Sequence, residues 1–169
     1  MNERDLLPAF TAASTWFDVD AGSSLELSGS WTNNNFEVFK TGGGTLKLSG
    51  VINEGGNQVT RLLEGTLELA QQSGTNATAT RIEIGTNKAG VPDAVLKLGE
   101  SHQIPDGASV FVYSSGLFDL NGKKETITGN LDLIAGPNGA GRVNIGTGGE
   151  LTVLGDVRVF SIGTSNPEG

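Results

Sequence analysis

The chain has 169 residues, of which 26 are glycine and 36% are hydrophobic, and its formal net charge is -8. This length suggests a single domain. The sequence contains no cysteine, which excludes disulfide bonds, thiolate zinc sites and cysteine nucleophiles. The acidic excess, together with the absence of any Lys or Arg run, argues against nucleic acid as a partner.

Residues 1–13 lack the basic start and the long apolar stretch that are typical of a signal peptide. No apolar run in the sequence approaches the roughly 18 residues that a membrane-spanning helix needs. We therefore expect no membrane insertion by this segment. Either the protein is not exported, or the chain is a segment of a longer exported protein. A short helix over residues 3–13 is the one helical prediction.

A segment of the Gly-Thr-Leu-x-Leu type recurs along the chain. The first three copies align without gaps, and their leucines recur in steps of 21 residues: Leu25, Leu46 and Leu67, then Leu27, Leu48 and Leu69. Copies at a looser spacing follow at Leu96, Phe118 and Val143. Such internal repetition is the sequence signature of a repeat architecture.

A second apolar series lies between the members of the first. It comprises residues 36–38, Val59, and residues 82–84, 110–112, 131–133 and 151–153. Two interleaved series with similar steps predict about six coils, each with at least two strands. Ile52, Ile104 and Ile127 indicate a short third side.

Within each copy, apolar and polar residues alternate, which is the period of a β-strand. Leu46 and Leu48 should then point into a core and Lys47 into solvent. Glycine and asparagine fill the expected joints, as at residues 42–44, 121–122 and 136–139. β-Sandwiches and up-and-down barrels also have short strands, but they rarely repeat the same side chains at a fixed step. The prediction is an all-β parallel β-solenoid, roughly 29 Å tall at about 4.8 Å per coil.

The stretch at residues 39–50 (FKTGGGTLKLSG) resembles the autotransporter-associated β-strand repeat, written loosely as K-x-G-x-G-T-L-x-L-S-G. An Asn- and Gly-rich turn at residues 53–57 and a second copy at residues 65–69 follow in the order of that repeat. Residues 115–127 (SGLFDLNGKKETI) are similar to another segment of these proteins. The resemblance implies a right-handed single-stranded parallel β-helix, and a passenger region of a secreted or outer-surface bacterial protein.

These patterns divide the chain into three parts. Residues 1–20 are predicted to form an N-terminal cap and first strand, and residues 21–160 the β-solenoid repeats. Residues 161–169 are predicted to be a C-terminal tail that is frayed or continues into further coils.

The sequence nominates no catalytic, cofactor-binding or metal-binding residue. His102 is the single histidine, and its context predicts a polar corner. The glycine-rich segments lack the Asp that calcium-binding β-rolls require. We therefore predict no cofactor and no metal.

Carboxylates on outward strand positions are the candidates for a sugar-cleaving pair: Glu26, Glu68, Glu83, Asp119 and Asp132. Glu26 and Glu68 share one face but are two coils apart, roughly 10 Å, with Lys47 between them. The alternation of Glu26, Lys47 and Glu68 is better explained as a charge ladder that stabilises stacking.

Trp16, Trp31, Phe10 and Phe17 lie near the N-terminus. They are predicted to cap the open end of the solenoid. Trp16 and Trp31 are also the candidate ligand-binding residues, as a platform on which a sugar could stack.

The sequence therefore predicts a non-catalytic structural or spacer segment of a bacterial secreted or cell-surface protein. The first alternative is an adhesin or carbohydrate-binding module on the solenoid face, and the second is a polysaccharide lyase or hydrolase. The expected partners are extracellular glycans or proteins, and copies of the chain that associate end to end.

Overall fold

The computed structural model describes residues 14–32, 37–53, 59–76 and 78–161. These residues are all-β without a helix, and their parallel strands stack into a β-solenoid of about six turns. The predicted fold class is thereby confirmed. The predictions for residues 3–13, for Phe10 and for the tail from residue 162 onward lie outside the described residues.

The first side of the solenoid is an eight-stranded sheet. All but one of its strands run parallel: β1 (Ser14–Asp18), β4 (Glu37–Thr41), β7 (Val59–Leu62), β9 (Arg81–Ile84), β11 (Ser109–Val112), β14 (Leu131–Gly136) and β18 (Val157–Ser161). The exception is the short β15 (Gly139–Ala140), which folds back antiparallel onto β14.

The second side is a six-stranded parallel sheet that contains every copy of the Gly-Thr-Leu-x-Leu segment. Its strands are β2 (Ser24–Leu27), β5 (Thr45–Leu48), β8 (Gly65–Leu69), β10 (Ala94–Leu98), β12 (Gly116–Asp119) and β16 (Arg142–Asn144). The register places Leu25 opposite Leu46, and Leu46 opposite Leu67. The looser copies follow in the same register, since Leu96 lies opposite Phe118 and Phe118 opposite Val143. The first predicted series is confirmed throughout.

A short third side is also confirmed. It consists of β3 (Trp31–Thr32) paired with β6 (Ile52–Asn53), and of β13 (Lys124–Ile127) paired with β17 (Glu150–Val153). Ile104 and Ile127, two of the residues that indicated it, are buried in the core.

The predicted second series needs two corrections. Thr60, rather than Val59, lies opposite Val38 and is buried, whereas Val59 is half-buried. The segment at residues 151–153 belongs to the third side, and Val157–Ser161 is the strand that stacks on β14. The first error arose because a hydrophobic residue in a strand was assumed to face the core, whereas register decides which face it occupies. In the second, Leu151 and Val153 do pack against the core, but from the third side.

The core consists of rows of equivalent side chains stacked along the solenoid. Leu46, Leu67, Leu96 and Phe118 form one such row and are almost completely buried. A coil could not bury these side chains alone, because each residue is covered by its equivalents above and below.

At Gly65, the start of the third copy, glycine is required by both backbone conformation and space. Gly65 has a φ of 69°, and a Cβ at this position would collide with the carbonyl oxygens of Gly42 and Gly44 in the coil below. Gly65 therefore lies at a corner where two coils approach too closely for a side chain.

We predict that Gly65→Ala destabilises the protein more than Gly74→Ala does. Gly74 has a similar φ of 83°, but open space surrounds its Cβ position. Gly74→Ala should lower the free energy of unfolding by about 1–2 kcal/mol, the cost of the left-handed backbone. Gly65→Ala should cost about 1–3 kcal/mol more, because it also forces the coils apart. Urea denaturation of both variants measures this difference, and equal effects would contradict the role of close approach.

Candidate functional site

The outer face of the second sheet carries the predicted charge ladder. Lys47 Nζ lies 3.2 Å from Glu26 Oε1, and Lys97 Nζ lies 3.2 Å from Glu68 Oε2. Each pair joins strands of neighbouring coils. Ser49 Oγ donates to Glu26 at 2.6 Å, and this hydrogen bond together with Lys47 lowers the pKa of Glu26. The ladder is confirmed for the pair of Glu26 and Lys47. Lys47 also lies in register with Glu68, but the ion pair of Glu68 is with Lys97 of the following coil.

The outer face of the first sheet carries a row that mixes aromatic and charged side chains. In register, this outer row consists of Trp16, Phe39, Arg61, Glu83, Phe111, Asp132 and Arg158. Arg61 and Arg81 both pair with Glu83. Arg158 donates from Nε and Nη2 to the two oxygens of Asp132, each at 2.6 Å. The Asp132 side chain is only 1% exposed. Its buried charge is neutralised by the Arg158 guanidinium, which binds it with good bidentate geometry.

The carboxylates that the sequence nominated for catalysis are distributed over both faces. Glu26, Glu68 and Asp119 lie on the second sheet, and Glu83 and Asp132 on the first. Asp119 Oδ1 accepts hydrogen bonds from the Asn121 backbone and the Asn144 side chain, both at 2.9 Å. Each nominated carboxylate is thus held by a neighbour, and most of these neighbours belong to the next coil.

The two tryptophans that were candidate ligand-binding residues lie on different sides of the solenoid. The Trp16 ring stacks on Phe39 with a centroid distance of 4.2 Å and an interplanar angle of 2°. Trp31 packs against the core and meets Phe17 edge-on at 5.6 Å. The structure therefore does not bring Trp16 and Trp31 together into one platform.

His102 is exposed at a corner where its φ is 55°, in agreement with the predicted polar turn. Within the described residues, no group of three or more His, Asp or Glu side chains is arranged to hold a metal ion.

Lys40 is a buried polar residue that the sequence analysis did not identify. It belongs to an inner row between Phe17 and Leu62 and is fully buried. Its ammonium donates to the carbonyl oxygens of Thr41 at 2.6 Å, Gly42 at 2.7 Å and Glu64 at 3.3 Å. Burial lowers the pKa of Lys40, against the opposing effect of Asp18 and Glu64. Lys40 therefore ties the corner of one coil to the corner of the next.

A second buried polar feature lies between the second sheet and the third side. We call it the corner column and define it as Gln71, Gln103 and Glu125, each at most 1% exposed. Gln103 Oε1 accepts the Gln71 backbone N–H at 2.8 Å. Glu125 Oε2 accepts the Gln103 N–H at 2.8 Å and the Ile104 N–H at 3.2 Å. Gln103 and Glu125 thus each satisfy backbone donors of the preceding coil, which has no strand there to do so.

The pKa of Glu125 is raised, chiefly because the carboxyl is buried. Hydrogen bonds from the backbone N–H groups of Gln103, Thr126 and Ile104 oppose this effect. No sequence signal distinguishes Gln71, Gln103 and Glu125 from ordinary polar turn residues.

A groove opens beside the first member of the corner column. It has a volume of about 280 Å³, and we call it the serine groove. Its walls come from three successive coils and include Ser28, Ser30, Ser49, Val51, Gln71 and Thr75. Both polar atoms of the Gln71 side chain, Oε1 and Nε2, lack a hydrogen-bond partner within the described part of the chain.

Family models, curated proteins and solved structures contain no match to this chain. Among the described residues, no helix is long and apolar enough to cross a membrane.

We predict that Lys40→Met lowers the free energy of unfolding by about 1–3 kcal/mol, because three carbonyl oxygens lose their donor. The removal of a buried charge offsets only part of this loss. The matched variant is Lys47→Met. The Lys47 side chain is 38% exposed and forms a surface ion pair. That variant should change the free energy of unfolding by less than about 1 kcal/mol. Chemical denaturation measures both, and a neutral Lys40→Met would show that the ammonium does not hold the corner.

Glu125→Gln should gain stability relative to the wild type as the pH rises. A carboxyl whose pKa is raised by folding contributes stability below its ordinary pKa of 4.5, and this contribution is lost as the pH rises through the raised value. Glutamine does not titrate, so the variant lacks this loss. Chemical denaturation between pH 4 and pH 7 measures the free energy of unfolding of both proteins. Subtracting one free energy from the other cancels the contributions of the other carboxylates, which both proteins share. A difference that is constant with pH would contradict the prediction.

Proposed function

We propose that this chain is a non-catalytic structural segment, a spacer built of stacked coils, from a secreted or cell-surface autotransporter-like bacterial protein. The observation that carries the proposal is that charged side chains form ion pairs between coils. On both outer faces they pair with equivalents in neighbouring coils and thereby stabilise the stack. The resemblance of residues 39–50 to the autotransporter-associated repeat supports the proposed location at the cell surface.

The carboxylates favour this role over polysaccharide cleavage. A general acid in a glycosidase needs a raised pKa and access to the substrate. Glu125 has a raised pKa but is buried, and it accepts hydrogen bonds from the backbone. Glu68, Glu83 and Asp132 are held by cationic partners.

As partners we propose extracellular glycans or proteins, and further copies of the chain stacked end to end. The last described strand, β18, supports end-to-end association. Val157 and Val159 continue the inner rows above Leu131 and Leu133, yet they are 59% and 67% exposed. Apolar side chains on an unpaired edge strand favour pairing with another chain.

The proposed role predicts that one coil can be removed without loss of the fold. Deletion of residues 45–65 brings Thr66 into the place of Thr45, its register partner. We expect this variant to unfold cooperatively and to be shorter by about 4.8 Å, one strand spacing, in small-angle X-ray scattering. Deletion of residues 45–54 is the control, because half a coil destroys the register and should abolish folding.

Cleavage assays distinguish the spacer from an enzyme. Wild-type protein incubated with acidic and neutral polysaccharides should release no reducing ends. Release that disappears in Glu68→Gln or Asp119→Asn would overturn the proposal in favour of a lyase or hydrolase.

A further inference from the structure

Two loops meet at the corner between the first and the second sheet. Residues 85–93 join β9 to β10, and residues 137–141, which include β15, join β14 to β16. The coil between these two carries the strands β11 and β12 and crosses the corner in residues 113–115 alone. The two loops therefore belong to coils that are not neighbours, and any contact between them passes over this short connection.

Two contacts join these coils across the connection, and we call them the loop bridge. Asn138 Nδ2 donates to the backbone oxygen of Lys88 at 2.7 Å, and Arg142 Nη2 lies 2.8 Å from Asp93 Oδ2. The side chains of Arg142 and Asp93 are 51% and 60% exposed, so their ion pair contributes little stability. The loop bridge therefore depends chiefly on the amide of Asn138.

Asn138 lies in the turn of a short hairpin. Strand β15 pairs antiparallel with β14 and places Gly136 opposite Gly139, so that Pro137 and Asn138 form the turn. Both residues of β15 are exposed. A pairing this short adds little stability of its own, so the hairpin can open locally while the coils stay stacked.

An asparagine followed by glycine is the pair most open to attack on its own side chain. The backbone nitrogen of the second residue attacks the side-chain carbonyl carbon of the first, and a side chain on the second residue would hinder this approach. Gly139 has none, and open space surrounds the position that its Cβ would occupy. Asn138 itself is exposed, so water reaches the reacting atoms.

We propose that Asn138 is a site of spontaneous deamidation, which opens the loop bridge. The Gly139 nitrogen forms a bond to Asn138 Cγ, its proton passes to the departing Nδ2, and ammonia leaves a five-membered succinimide. Water then adds to one of the two ring carbonyl carbons and breaks that carbon's bond to nitrogen. The product carries aspartate or isoaspartate in place of Asn138. This site does not depend on the spacer role.

The product cannot maintain the contact with Lys88. An ionised carboxylate only accepts hydrogen bonds, so the Lys88 oxygen loses its donor and faces a negative charge. Isoaspartate also adds one carbon to the main chain and displaces the hairpin. Deamidation therefore releases residues 85–93 from residues 137–141.

The chain contains a second pair of the same type, Asn121 and Gly122, in a different environment. Asn121 Nδ2 donates to Leu98 O at 3.1 Å in the preceding coil, and Gly122 N donates to Ile145 O at 3.0 Å in the following coil. The attacking nitrogen is thus held between coils, and the reaction would require the coils to separate. Asn121 therefore serves as an internal control with the same local sequence.

The test is peptide mapping by mass spectrometry after prolonged incubation of the full-length chain at mildly alkaline pH. Cleavage after Lys and Arg separates the two sites into peptides 98–123 and 125–142. Conversion of Asn138 from amide to acid should be at least about tenfold faster than that of Asn121, because only the hairpin opens without separating coils. In a chain digested before incubation, both sites should react at similar rates.

Three outcomes of this experiment would overturn the proposal. The first is an equal rate at Asn121 and Asn138 in the folded chain. The second is an Asn138 that stays an amide in the folded chain while its peptide reacts. The third is a difference between the two sites that persists in the digested chain, since it would then owe nothing to the fold.

Two variants test the effect on the loop bridge. Asn138→Asp imitates one product, so the backbone NMR signals of residues 86–90 should shift and their amide protons should exchange faster, while global unfolding occurs at the same denaturant concentration. Asn138→Gln is the matched control, because its side chain would have to close a six-membered ring and should keep its amide throughout the incubation. Signals of residues 86–90 should therefore change with time in the wild type and stay constant in Asn138→Gln. Loop signals in Asn138→Asp identical to those of the wild type would show that the amide does not join the loops.

Discussion

The structure depends on the in-register stacking of equivalent side chains from one coil to the next. Each strand of the second sheet lies opposite its own counterpart one coil away, so that leucine covers leucine and Lys47 meets Glu26. Hydrogen bonds between parallel strands fix the spacing at about 4.8 Å. A side chain that faces inward is thereby buried between the side chains at the equivalent positions above and below it. A charged side chain that faces outward is brought within reach of a partner.

The same constraint explains why so many polar groups are buried in this chain. A corner has no strand to satisfy its backbone groups, so side chains perform that task. Lys40 donates to three carbonyl oxygens, and Glu125 accepts from three N–H groups. Neither interaction resembles a catalytic arrangement, because the charged group is turned toward the backbone of its own fold. At the corners, buried polar side chains therefore serve the backbone of the fold.

The sequence predicted what repetition can encode. The 21-residue step of Leu25, Leu46 and Leu67 predicted coils, and alternation predicted that Lys47 faces outward. The prediction from the sequence failed where hydrophobicity and register disagree, as at Val59, which faces outward while Thr60 is buried. The sequence analysis also missed Lys40 and Gln71, because the neighbouring coils that cover them lie 20 or more positions away in the sequence. The groove beside Gln71 exists only when three coils are stacked, so no local pattern could reveal it.

The direction of the hydrogen bonds has a mechanical consequence. The bonds between coils run along the axis of the solenoid, so tension along that axis reaches one junction after another in series. Within a junction, the bonds of two or three strand pairs share the force and break together. The chain should therefore lengthen in steps, each releasing one coil of roughly 20 to 30 residues, and the weakest junction yields first. Among the described strands, β18 has all its residues exposed and pairs only with β14, so we expect their junction to be among the first to yield.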